Sequence, residues 1–208
     1  MKRLIAFALA LLTLCIGSLA AAEEPEATEA TAHILTVYFS VAENSEVDLT
    51  SSASVTQWNG NTVGTISVLA NMIHNRVGGD LYSIDTAVAY PVSTLIDFAA
   101  DEQEQNARPE LLNHIENLDQ YDTIFIGYPT WWYDLPMVMY SFFDEYDLSG
   151  KTIIPFNIHN GSRFSSTIQT IERLEPDATV IEDGFTVNER NVVQAENDLN
   201  DWLTQLDY

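Results

Sequence analysis

The sequence predicts an α/β protein whose parallel sheet is covered by helices on both faces. Two observations carry the prediction: short apolar runs with little polar alternation, as strands buried on both faces require, and intervening segments whose apolar residues recur at helical spacing. Ile34-Leu35-Thr36-Val37-Tyr38-Phe39 reads as the first strand. Ile66, Leu69, Ala70 and Ile73 follow at helical spacing, and Gly78-Gly79 ends that helix. Leu81-Tyr82-Ser83-Ile84 is the second strand. Leu95, Ile96, Phe98 and Ala99 outline a short helix, and Pro109, suited to a first helical position, opens another through Ile115. Thr123-Ile124-Phe125-Ile126-Gly127 is the third and most hydrophobic strand. Met137 to Phe143 is helical, Thr152-Ile153-Ile154-Pro155-Phe156 is the fourth strand, Ser165 to Leu174 a helix and Thr179-Val180-Ile181 a fifth strand. Val192, Ala195, Leu199, Trp202 and Leu203 make a closing amphipathic helix.

Composition narrows the function. The 208 residues carry eight Lys or Arg against 31 Asp or Glu, a formal charge of −23. That field repels nucleic acid, anionic membrane surfaces and other polyanions. A hydrophobic fraction of 46% argues against disorder. One cysteine allows neither an internal disulfide nor a thiolate cluster for zinc or iron–sulfur, so no metal is expected.

Residues 1–22 read as a signal peptide: Lys2 and Arg3 precede the apolar run Leu4 to Ile16, and Ala20-Ala21-Ala22 supplies small residues for cleavage. Cleavage there moves the charge from −23 to −25, since Lys2 and Arg3 leave with it, and removes Cys15. An uncleaved anchor is a second reading, but the apolar run falls short of the ~20 residues a span needs. Lipidation at Cys15 is a third, disfavoured by the bulky Leu14 before it. Membrane contact is expected in those two cases alone. The protein is therefore expected to be exported, with residues 23–32 an acidic linker and 33–208 the folded domain. No twin-arginine pair precedes the run, which favours export before folding.

In a doubly wound sheet the ligand lies beyond the carboxyl ends of the strands, where the strand order reverses. The loops of interest therefore follow strands one, three and four: Ser40 to Gly64, Tyr128 to Pro136 and Asn157 to Phe164. The second holds Pro129, Thr130, Trp131, Trp132 and Tyr133 in succession. Large aromatics at a ligand edge suit the stacking of a flat cofactor; the plainer reading is that Trp131 and Trp132 cap the core.

At these residues the chain resembles the flavodoxin-like family. The likeness spans about residues 33–207. It includes Tyr38-Phe39-Ser40, Gly78-Gly79-Asp80-Leu81, Glu102-Gln103 with Ala107-Arg108-Pro109, and Tyr121-Asp122. It continues with Asp147-Leu148-Ser149-Gly150-Lys151-Thr152 and Ile154-Pro155-Phe156. It is most similar to short flavodoxins with an export signal. The resemblance implies a three-layer sandwich with a five-stranded parallel sheet in the order 2-1-3-4-5. It also implies one non-covalent FMN, used in electron transfer or NAD(P)H/quinone-type reduction.

Carried over residue by residue, the resemblance places the phosphate near Ser40 and the start of the first helix, held by hydroxyls and N–H groups. Gly60-Asn61-Thr62 matches the family's usual helix start by letters. Counting back from Ala70 and Ile73 instead places Gly64, Thr65 and Ile66 there, with Asn59-Gly60 as a hairpin turn. Ile66 then stands where a hydroxyl is usual. Ser51, Ser52 or Ser54 either assist or belong to an ordinary polar hairpin. After the fourth strand, His159, Asn160, Gly161 and Ser162 are expected near the flavin's pyrimidine edge. Asn160 and Arg163 stand where the family commonly has glycine, Asn160 being able to take a left-handed turn and Arg163 lying either near the flavin or in solvent.

Other polar groups carry less. His159 is expected to hydrogen-bond the ring or substrate, while His33, His74 and His114 lack ligand spacing. Asp144-Glu145 and Glu182-Asp183 read as solvated edges, and Arg108 as meeting an anionic substrate, capping a helix or pairing with Glu102. The expected function is FMN-dependent electron transfer outside the cytoplasm, with a quinone-type acceptor or a redox partner presenting a basic face. The alternative is a flavodoxin fold that has lost FMN and serves as a binding or scaffold module.

Overall fold

The computed structural model describes residues 33–44, 54–91 and 94–208; the expected signal peptide and linker, with Ser51 and Ser52, lie outside them. The strands are β1 (Ile34–Tyr38), β2 (Val55–Trp58), β3 (Asn61–Gly64), β4 (Asp80–Ser83), β5 (Thr123–Pro129), β6 (Thr152–His159), β7 (Thr179–Val180) and β8 (Phe185–Asn188). The helices are α1 (Thr65–Val77), α2 (Leu95–Glu104), α3 (Met137–Glu145), α4 (Thr167–Leu174) and α5 (Glu196–Gln205). The main sheet runs β4-β1-β5-β6-β7, with β8 also on β6, and each of these pairs is parallel.

The order 2-1-3-4-5 is therefore present, with its fifth position divided between two strands. β7 pairs with Thr152 and Ile153, and β8 resumes against Phe156 to His159. The division falls at Pro155, which has no N–H to give a ladder, and Gly184 passes so close to the Pro155 carbonyl that a side chain there would strike it. The expected strand Thr179–Ile181 is thus shorter than its apolar run, and β8 was not anticipated.

β5 is buried over its whole length, as its sequence requires. α1 and α5 cover one face, burying Ile66, Leu69, Ile73, Leu199 and Leu203 against Phe125 and Phe156. The other face packs Val138, Phe142 and Ile171, from α3 and α4, against Val37, Ile124 and Ile126. Among the described residues no helix is long and apolar enough to cross a membrane.

Two further expectations meet the structure. Asn59 and Gly60, at φ of 51° and 81°, form the tight turn of the β2–β3 hairpin, so Gly60-Asn61-Thr62 belongs to that hairpin and α1 begins at Thr65. Pro109 to Ile115, expected to be helical, is not. Its backbone is used by the chain after β4: the Ala87 N–H donates to Glu110, the Leu112 N–H donates to Asp85, and the Asn113 side chain bonds Asp85 N–H and Ser83 O. These pairings outcompete the local preference for helix.

Candidate functional site

From β1 the chain crosses to β4 on one side and later to β5 on the other. The carboxyl ends of β1 and β5 therefore flank the point where strand order reverses. At the end of β1, Ser40 is buried and its Oγ has no hydrogen-bond partner among the described residues. It faces Gly64, the residue that precedes α1, and a Cβ on Gly64 would collide with that oxygen. Thr65 is fully buried, and its N–H donates to the Ser54 carbonyl at 3.0 Å. Ser54 thus reaches the start of α1 through its backbone. The Ile66 side chain is turned into the α1–α5 core, so only its N–H lies in the first helical turn.

A carboxylate stands beside this cradle. Glu43 accepts hydrogen bonds from Tyr38 Oη at 3.0 Å and from Ser83 Oγ, and burial raises its pKa above the usual glutamate range. With Gly64, Ser67 and the β2–β3 hairpin it lines an open groove of about 1080 Å³.

The aromatic loop after β5 divides its residues. Trp131 is half-buried and meets Phe39 and Tyr90 edge-on, with ring centroids 5.7 and 5.5 Å away. Trp132 and Tyr133 are 50% and 66% exposed. Both plain alternatives are thus realised in one loop, Trp131 capping the core and its neighbours facing outward. Trp131 and Asp134 exchange backbone hydrogen bonds of 3.0 and 2.9 Å around Trp132 and Tyr133, whose φ angles are 46° and 66°. A two-residue turn with two bulky residues in the left-handed region stores about 1–3 kcal/mol at each. The turn is held by the Trp132 Nε1–H to Ile96 O, the Gln103 side chain to Trp131 O, and the Ser166 Oγ to Tyr133 O.

The loop after β6 is tied to the same structure. Thr130 N–H donates to Ile158 O, and Thr130 Oγ1 and Asn157 Nδ2 both donate to Arg163 O at 3.0 Å. Asn160, able to take a left-handed turn, does not do so; the positive φ angles fall at Gly161, Arg163 and Ser165. Asn160 and Gly161 are exposed, with Ser162 partly covered. His159 Nδ1 accepts the Gly161 N–H at 2.8 Å, which places the proton of a neutral ring on Nε2. Its pKa is lowered, first by burial and then by Arg163.

Sequence reasoning passed over Tyr90 and the burial of Glu102. Tyr90 packs with Phe39, Phe98 and Trp131 beneath the aromatic loop. Glu102 is 7% exposed and burial pushes its pKa up to about 7. Neither carries a pattern in sequence, since Tyr90 sits in an irregular segment and Glu102 on a helix of modest periodicity. Arg108 pairs with Asp144 and lies 5.0 Å from the Tyr140 ring centre, and His114 bonds Glu145 at 2.7 Å. Asp144 thus pairs with a guanidinium and Glu145 with an imidazole on the surface. Among the described residues no group of three or more His, Cys, Asp or Glu is arranged to hold a metal.

A parallel sheet in this order, with a hydroxyl- and glycine-lined helix start facing two loops at the reversal point, defines a flavodoxin-type α/β protein. The flavodoxin family profile matches residues 54–206, and the chain belongs to that family. A protein assigned as a flavoprotein from Bacteroides eggerthii is 26% identical with a TM-score of 0.61, over 81% of this chain and 98% of that one. A second, from Bacteroides uniformis, is 26% identical with a TM-score of 0.61, over 78% and 96%. A flavoprotein from Lactobacillus acidophilus in complex with FMN shares the fold at 16% identity and a TM-score of 0.53, over 80% and 99%. No curated protein matches the chain.

Proposed function

We propose that the chain binds FMN and works as an exported electron carrier or quinone-type reductase. The observation that carries this reading is the exposed, strained Trp132–Tyr133 turn. A fold does not keep two large aromatics in costly backbone geometry and half in water without an occupant to stack on them. The residues suit FMN at the other end as well. Among the described residues Ser40 Oγ is a buried hydroxyl lacking a partner, it stands where a side chain on Gly64 would be, and the α1 N-terminus favours an anion. Ser40 Oγ and the Ile66 N–H would hold the phosphate, Trp132 and Tyr133 the ring, and the His159–Ser162 loop its polar edge.

When bound, FMN supplies the one- and two-electron chemistry; the protein's part is orientation, exclusion of water and placement of charge. His159, whose lowered pKa favours the neutral ring with its proton on Nε2, would donate a hydrogen bond without adding charge. The acidic surface favours a protein partner with a basic face, whose association weakens with salt. The expected signal peptide supports a location outside the cytoplasm.

The test is to titrate FMN against the purified protein and follow flavin fluorescence. Quenching at micromolar protein, weakened in Trp132→Ala, is the expected result. Absence of quenching ends the flavin reading and leaves a flavodoxin fold serving as a binding module. That reading would draw on the Ser54 carbonyl and Glu43 already crowding the phosphate end.

A further inference from the structure

The β2–β3 hairpin forms a two-stranded antiparallel sheet of its own, off the main sheet, and its residues before Gly64 have no role in the flavin reading. It is nonetheless fixed in place. Trp58 and Val63 pack on the α1–α5 core, and Val55 is buried in the core of the opposite face. Between this hairpin and α1 runs the groove of about 1080 Å³. Ser67 and Asn71, four residues apart on one side of α1, continue its wall from Gly64. From Gly64 to Asn71 the helix rises about 10 Å, so the groove starts at the phosphate cradle and leads away from it along the helix. Its volume is that of a site for a whole small molecule, whereas a terminal phosphate would need little of it.

The groove offers an indole and neutral amides. Trp58 is half-buried, Asn61 exposed and Asn71 partly covered. Asn71 gives one amide hydrogen to Ser67 O at 2.7 Å, and its amide oxygen accepts from no described group. Such amides pair with the amino and ring nitrogens of adenine, and an indole stacks on a purine. Among the described residues Glu43 is the only charged side chain lining the groove, and it stands at the cradle end. A phosphate monoester carries about −1.5 to −2 near pH 7, whereas each phosphate of a diester carries a single charge. Beside that carboxylate, in a protein of formal charge −23, the diester is the less repelled of the two.

We propose that this site takes a flavin dinucleotide in preference to FMN, with the adenylate half of FAD lying in the groove between α1 and the β2–β3 hairpin. The adenine would stack on Trp58 and meet the amides of Asn61 and Asn71. The inference deepens the flavin reading above and rests on it for the placement of the ring and the first phosphate. Trp58 and Asn71 are then the residues that select the dinucleotide, and the hairpin is the outer wall of its site.

The test is calorimetric titration of the flavin-free protein with FMN and with FAD, in the natural chain, in Trp58→Ala and in Asn71→Ala. FAD should bind about tenfold tighter than FMN, and each substitution should cut that ratio to about threefold or less while FMN affinity stays unchanged. Asn71→Ala, on the helix surface, keeps the result readable if loss of Trp58 loosens the hairpin. FMN binding as tightly as FAD, or an FAD advantage that survives both substitutions, overturns the proposal. Equal losses of FMN and FAD affinity in Asn71→Ala also overturn it, because the residue would then serve the half that the two flavins share. If neither flavin binds, the flavin reading and this inference fall together, whereas FMN binding without an FAD advantage overturns this inference alone.

Discussion

Ser40 and Gly64 meet where β1 ends and α1 begins, and the meeting is so close that the hydroxyl of one occupies the place of a side chain on the other. The hydroxyl is buried and has no partner among the described residues. A buried polar group in that state lowers stability, so its retention points to a ligand that satisfies it.

Stability and flavin affinity should therefore move in opposite directions in Ser40→Ala. Removing the orphan hydroxyl should raise the stability of the flavin-free chain by about 1 kcal/mol in urea unfolding, while FMN affinity falls about fivefold. Parallel losses in both would make Ser40 a structural residue.

At Trp132 two effects oppose each other in one residue. Trp132→Gly removes the cost of φ 46° but also the Nε1–H bond to Ile96 O, so the stability of the flavin-free chain should change by less than about 1 kcal/mol in urea unfolding. It also deletes the stacking surface, so FMN quenching should weaken at least as much as in Trp132→Ala. Unchanged affinity would place the ring on Tyr133 or elsewhere.

Glu43 lies beside the expected phosphate site, and its raised pKa shifts ionisation above the usual glutamate range. As pH rises through that window the carboxylate appears and repels the phosphate, so FMN affinity should fall. Glu43→Gln should remove this fall and tighten FMN about threefold at neutral pH, with riboflavin, which has no phosphate, unaffected. Equal effects on the two flavins would remove Glu43 from the phosphate site.

Glu102 makes a prediction about folding. Burial pushes its pKa up to about 7, so between the ordinary glutamate range and that value the folded chain holds a proton that the unfolded chain has lost. Stability therefore falls as pH climbs across that window. Glu175, also near 7 through burial, contributes in the same direction. Glu102→Gln should flatten the decline by about 1–2 kcal/mol between pH ~5 and ~8, read from unfolding midpoints. A decline of unchanged slope would mean that Glu102 is hydrated in solution.

Much of the fold was legible because its signals are local. The apolar run Ile34 to Phe39 needs burial on both faces whatever lies beside it, and Asn59-Gly60 specifies a tight turn through two backbone angles that few other residues accept. Counting along the apolar positions placed Gly64 before α1 even though Gly60-Asn61-Thr62 matched by letters. Pro109 to Ile115 failed for the opposite reason: its local pattern suited a helix, but its backbone groups found better partners after β4. The split of the fifth strand needed Pro155 and Gly184 to be seen side by side, and they are 29 positions apart.

For the site, the sequence by itself determined which loops lie at the ligand edge and that aromatic residues crowd one of them. It also determined the acidity that excludes polyanions. The tertiary structure decided which of Trp131 and Trp132 is exposed and that, among the described residues, Ser40 Oγ has no partner and Arg163 is unpaired at the same edge as His159. The division has one cause. Periodicity and charge are properties of neighbouring residues and of sums, whereas burial, partnership and backbone strain depend on segments brought together only by the parallel sheet.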